Sequence, residues 1–197
     1  ISGTPTTTIY IVDNDSQAPT PSNQIELNYI GSFDPSGAST STCEIVVHDP
    51  TSQRLFTTSA VAGYLDIIDF SNPTNPSVIS SVNINPYGGV TSVAVKNGIV
   101  AVASPNADET LNGSIVFFNN NGTFLNQVTV GALPDMITFS PDGTKVMTAN
   151  EGQPNTDYSI DPEGSVSIVD ISGGIASLSQ SNVTTLLFTA YNTQEAT

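Results

Sequence analysis

The residues able to do chemistry are unevenly spread over these 197 positions. Eighteen Asp and Glu face only Arg54, Lys96 and Lys145, a formal net charge of -15, and there is one histidine and one cysteine. The densest run of hard oxygen donors is Asn150-Glu151-Gly152-Gln153-Pro154-Asn155-Thr156-Asp157-Tyr158-Ser159-Ile160-Asp161-Pro162-Glu163. Calcium takes about six to eight such oxygens. Glu151, Asp157, Asp161 and Glu163, with the carbonyls of Asn150 and Asn155, can supply several, although the spacing is not that of an EF-hand. The alternative is a solvated loop held by Asx turns and its prolines.

His48 stands beside Asp49. Such a pair can move protons, but catalysis also needs a nucleophile or a metal brought from another segment; the alternative is a satisfied strand end. No Ser-His-Asp ordering, phosphate-cradling glycine loop or Cys-His metal spacing occurs in the sequence. Three cations leave the phosphate-binding half of a phosphoesterase site without residues. The same imbalance argues against nucleic acid and anionic lipid, whose binding needs clustered Lys and Arg, and makes calcium the natural counterion. Cys43 has no partner for an intrachain disulfide.

The elements that position these groups are legible as a repeat. Gly63-Tyr64-Leu65-Asp66-Ile67-Ile68-Asp69, Gly113-Ser114-Ile115-Val116-Phe117-Phe118-Asn119 and Gly164-Ser165-Val166-Ser167-Ile168-Val169-Asp170 open on glycines 50 and 51 residues apart. Before each lies an apolar hairpin, predicted at 45–49 with 55–58, 92–95 with 99–102, and 136–139 with 146–149. Asn97-Gly98 and Pro141-Asp142-Gly143 supply the conformations that tight hairpins require. After each comes a more polar fourth strand, predicted at 77–84, 123–130 and 176–183, with 186–192 read as the approach to another unit. The first two strands of each unit are expected to be buried on both faces and the fourth to be wet.

Four strands in roughly 45–50 residues, repeated three times, predict an all-β β-propeller or propeller-like chain of three four-stranded antiparallel blades, a partial ring. A β-sandwich has no reason to repeat one four-strand order. The units are set at about 43–84, 90–130 and 135–184 within a domain of 25–197. Residues 16–24 read as a Pro-rich linker, and 1–15 as a terminal or free edge strand ending in Asp13 and Asp15. In this topology the second-to-third connections, 104–112 and 150–163, fall on one face beside the blade-to-blade links.

Cys43-Glu44-Ile45-Val46-Val47-His48-Asp49-Pro50, Gly131-Ala132-Leu133-Pro134-Asp135-Met136, Phe139-Ser140-Pro141-Asp142-Gly143, Ala149-Asn150-Glu151-Gly152 and Asp161-Pro162-Glu163-Gly164-Ser165-Val166 together resemble the choice-of-anchor I domain. These are secreted bacterial propellers related to the mesenchyme-specific cell-surface glycoprotein family, and some relatives carry phosphatase-like or phytase-like labels. The resemblance implies a secreted or surface-attached propeller. Ile9-Tyr10-Ile11-Val12-Asp13-Asn14-Asp15 is similar to the closing strand of Calx-β domains, which implies Asp13 and Asp15 as calcium ligands of an incomplete site.

Few charges, few aromatics, no Trp and much Thr, Ser, Asn and Gly suit a secreted bacterial β protein. The first residues lack the basic and apolar regions of an export signal, so the chain is expected to begin after any such signal. No apolar run reaches 18 residues, so no membrane insertion is expected of this segment. The expected function is an extracellular or cell-surface structural or adhesive protein, calcium-associated, with partners among copies of itself, surface proteins or polysaccharide. The 8–13 strand is a candidate edge-adding segment between subunits. The competing reading is a secreted metal-dependent phosphoesterase or phytase-like hydrolase of which this is the N-terminal half.

Overall fold

The computed structural model describes residues 27–35 and 43–191, and the chain divides into two compact units, 1–31 and 32–197. Residues 27–31 of the first carry no regular secondary structure. Within the second lie β1 Cys43–Asp49, β2 Arg54–Ser59, β3 Tyr64–Asp69 and β4 Ser77–Asn83; β5 Ser92–Lys96, β6 Ile99–Ser104, β7 Asn112–Asn119 and β8 Phe124–Ala132; β9 Pro134–Phe139, β10 Lys145–Asn150, β11 Ser165–Asp170 and β12 Val183–Leu187. They form three four-stranded sheets, each in sequence order, and every pairing is antiparallel. The arrangement is that of stacked propeller blades in an unclosed ring, as the repeat predicts.

The stacking follows from alternation, because successive residues of a strand point to opposite faces. One face of the second sheet carries Val93, Val100, Val102, Val116 and Phe118, which join Phe56, Leu65 and Ile67 of the first sheet in one core. Its other face carries Ala101, Ala103, Ile115, Phe117 and Val128, which join Ile137, Val146 and Val169 of the third. Burying a side chain such as Phe117 stabilises the fold by roughly 1.5–3 kcal/mol. Two such faces explain why the central strands read as unbroken apolar runs.

Gly63, Gly113 and Gly164 stand at the heads of β3, β7 and β11. At Gly113 a methyl group would lie 2.5 Å from Pro134 Cδ and 2.7 Å from the Ser104 carbonyl, so the link into the third sheet can cross there only over a residue without a Cβ. The Asn97-Gly98 hairpin takes φ of 52° and 76°, the left-handed pair that a two-residue turn needs.

Two expectations are corrected. Residues 176–183 are not a strand. Ile175–Ser177 and Gln180–Asn182 are 3₁₀ turns, the second closed by reciprocal capping between Ser179 and Asn182. Ile175 and Leu178 are buried in the core between the second and third sheets, and the alternation of Ala176 and Leu178 with Ser177 and Ser179 gave the polar stretch its strand-like pattern. The fourth strand is displaced to Val183–Leu187, pairing Val169 with Val183 and Ser165 with Leu187, so Leu186 and Leu187 belong to this sheet. The second correction concerns burial. The middle strands β2, β3, β6 and β7 are the covered ones, whereas β1 is largely exposed, with Val46 57% accessible. First strands line the axis, which these three sheets do not enclose.

Candidate functional site

The two acidic connections lie where the topology predicts. Glu151 N–H donates to the Leu133 carbonyl at 2.8 Å and Gly152 N–H to the Ala132 carbonyl at 3.2 Å, which ties the 151–164 loop to the link between the second and third sheets. A methyl on Gly88, in the preceding link, would lie against the Pro105 carbonyl, so the 105–111 connection meets its own link in the same way.

The base of the longer loop is closed by backbone. Gly152 has φ of 68°, and a Cβ there would lie 2.6 Å from atoms of Pro162, Glu163 and Gly164. Beyond this neck the loop is held by its own polar groups. Asn155 N–H donates to the Ile160 carbonyl at 3.0 Å and Asn155 Oδ1 accepts from Ile160 N–H at 3.1 Å. Asp157 Oδ1 accepts from the Ser159 hydroxyl at 2.7 Å and its N–H at 3.2 Å. The Ser159 hydroxyl first, then its N–H, hold the Asp157 carboxyl below the usual aspartate range. Glu151, Asp157, Asp161 and Glu163 are all exposed, and among the described residues no three or more His, Cys, Asp and Glu groups gather as a metal would require. Asp13 and Asp15 lie outside the described residues, as do the edge strand at 8–13 and its Calx-β-like features.

His48 and Asp49 are adjacent in sequence but act apart. Asp49, 6% accessible, accepts from Thr51 N–H at 3.2 Å and from the N–H and hydroxyl of Ser52. His48 is exposed and meets Phe70 edge-on, ring centroids 5.8 Å apart. The carboxylate is thus fastened to the following turn.

That use of Asp recurs. Asp69, Asp108, Asp142 and Asp170 each accept from the N–H two residues on, and Asn119 does so in the second sheet. Asp142 is lowered to about 2 by the Ser140 hydroxyl first and then by Thr144. Asp170 is lowered to about 2 by the hydroxyl and N–H of Ser172 ahead of Lys145, whose Nζ lies 3.0 Å away. Much of the acidity therefore fastens turns.

Sequence reasoning missed a buried polar network between the second and third sheets. Asn150 Nδ2 donates to Ser165 Oγ at 3.0 Å and Ser167 Oγ at 2.9 Å, and its Oδ1 accepts from the Thr148 hydroxyl at 3.0 Å. Gly131 N–H reaches Ser167 Oγ at 3.3 Å. The available signal was Ser alternating with Val in β11, polar residues on what proves a covered face. Beside the network opens a cavity of about 410 Å³ between β8 and the outer strands of the third sheet. A second hollow of about 420 Å³ follows the axis along β1, β5 and β9, where His48, Lys96 and Thr138 line it together with apolar residues such as Val47, Val93 and Phe139.

Three radially stacked antiparallel four-stranded sheets, with acidic connections gathered beside the inter-sheet links, define a β-propeller-type protein. Residues 44–197 match the choice-of-anchor I domain, and the chain belongs to that family. No curated protein matches the sequence. Among solved structures it is similar in fold to a hydrazine synthase of Kuenenia stuttgartiensis, at 14% identity and a TM-score of 0.54 over 73% of this chain and 41% of that one. It is also similar to a functionally unknown protein from Desulfotomaculum acetoxidans, at 16% identity and a TM-score of 0.51 over 79% and 50%. A eukaryotic initiation factor gives 20% identity and a TM-score of 0.50 over 73% and 34%. The chain thus spans half or less of each of these structures.

Proposed function

We propose that this chain is part of an extracellular or cell-surface protein whose propeller serves a structural or adhesive role, with polysaccharide, other surface proteins or further copies as partners. Family membership supports the setting. The observation that carries the reading is the fate of the carboxylates: Asp49, Asp69, Asp108, Asp142, Asp157 and Asp170 are bound to neighbouring N–H and hydroxyl groups of their own turns. Asp69, Asp142, Asp157 and Asp170 are held below the ordinary aspartate range by these bonds, and a carboxylate so held is a poor general base, because hydrogen bonds that lower its pKa weaken its hold on a proton.

The test is a hydrolysis screen of the full-length protein with p-nitrophenyl phosphate and phytate, with and without calcium. The expected result is no turnover above background in either condition. Calcium-dependent turnover would replace this reading with the hydrolase.

A further inference from the structure

We infer that the cavity between the second and third sheets is a binding site for a neutral polyhydroxylated ligand, a sugar unit. The inference rests on the adhesive reading above and gives it a ligand class.

The cavity exists because the two inter-sheet junctions are filled from different places. At the first junction the link itself fills the space. Residues 84–91 include the 3₁₀ turn Asn85–Tyr87, with Ile84 fully buried and Tyr87 stacked on Phe124 at 5.7 Å. At the second junction the link is Leu133 alone, between β8 and β9. The filling comes instead from the β11–β12 connection, where Ile175 and Leu178 enter the core and Asn126 Nδ2 donates to both their carbonyls at 2.8 and 3.0 Å. This packs the junction near Asn126 and leaves it open beside Asn112 and Glu163.

The open part is lined by Asn112, Thr129, Glu163, Ser165, Gln180 and Thr185, with Val130 and Leu187 as apolar wall. Its volume of about 410 Å³ lies in the range of small-molecule sites, roughly 300–1,000 Å³. Ser165, 4% accessible, accepts from Asn150 through its oxygen, which leaves its hydroxyl hydrogen as a donor at the floor. Gln180 is fixed as wall by paired hydrogen bonds to the backbone of Thr129, at 3.0 and 2.9 Å. Amides and hydroxyls both give and accept hydrogen bonds, the combination that hydroxyl groups of a sugar match. Among the described residues no Lys, Arg or His lines the cavity and a carboxylate does, so an anionic ligand meets repulsion there.

The test is a titration of the ¹⁵N-labelled chain with glucose, galactose, mannose, N-acetylglucosamine and cellobiose at millimolar concentration. The expected result is chemical-shift changes confined to amides around Asn112, Gly131, Ser165 and Gln180. Thr185→Trp fills the opening from an exposed position, so its unperturbed spectrum elsewhere certifies the fold, and it should weaken binding at least tenfold. Absence of shifts with every sugar, or equal shifts in Thr185→Trp, overturns the inference. Glucose 6-phosphate should bind at least tenfold more weakly than glucose; equal or tighter binding overturns the neutral class. A null result here with no phosphate-ester turnover leaves the non-enzymatic reading standing, so the two failures are distinguishable.

Discussion

The second and third sheets share a strand order and a turn plan, but differ in what covers them. In the second, Phe117 and Ile115 look one way and Val116 and Phe118 the other, and all four are buried. In the third, Val146 and Val169 are buried while Met147, Val166 and Ile168 on the opposite face are half-exposed and Met136 is 52% accessible. Pairing of Met147 with both Thr138 and Ile168, and of Ala149 with both Met136 and Val166, sets these residues in two uncharged rows. The residue type along a strand therefore records burial only after its neighbours are known: Ile168 and Phe117 read alike in sequence.

The largest expected difference is in core truncation. Phe117→Ala should cost about 3–5 kcal/mol, the range for a buried aromatic, and Ile168→Ala less than half as much, by urea denaturation. Equal costs would mean that the outer face of the third sheet is covered in solution.

Polar burial comes next. Asn150→Ala strands hydroxyls of Thr148, Ser165 and Ser167 inside the junction and should cost about 1–3 kcal/mol. Gln127→Ala, which removes an exposed amide from the Ser114 hydroxyl at 2.8 Å, should stay within about 0.5 kcal/mol. A small Asn150 effect would show that water reaches the network.

Acid should then separate the sheets. Asp142 and Asp170 are held at about 2, below the ordinary 3.8. The unfolded chain binds more protons between those values, so stability rises with pH there. Their contribution is present above about pH 4 and lost as pH falls toward about 2. The second sheet has Asn119 where the third has Asp170, and Asn119 does not titrate. Hydrogen exchange across this interval should show the third sheet losing protection first, and the double variant Asp142→Asn, Asp170→Asn should flatten that loss. Parallel loss in both sheets, unchanged in the variant, would remove the distinction.

The smallest effect is chemical. Met136 and Met147, the only methionines in the chain, share the open face. Peroxide should oxidise Met136 faster than half-buried Met147, read by peptide mass. Protection of both would again report a covering partner.

How much was legible follows from the same contrast. The heads of the third strands were readable because a close backbone crossing at Gly113 excludes any side chain, and the hairpins because Asn97-Gly98 admits one turn geometry. The fourth strand of the third sheet was misplaced because Ala176 and Leu178, alternating with Ser177 and Ser179, imitate a strand's period of two where the chain forms 3₁₀ turns. The carboxylates of the long loop were visible as a cluster. That Asp157 is taken up by its own turn depends on the Ser159 hydroxyl and N–H, whose geometry composition does not carry. The Asn150 network showed locally only as Ser alternating with apolar residues in β11; that this face is covered follows from the opposite sheet.

The neck at Gly152 has a consequence for engineering and for divergence. Because the chain is pinched together before it departs, a guest peptide placed at Thr156 adds little closure entropy and puts no tension on β10 or β11. The blade should accept grafted epitopes or binding sequences at that tip as a display scaffold does, keeping its melting temperature while its outer surface is rewritten.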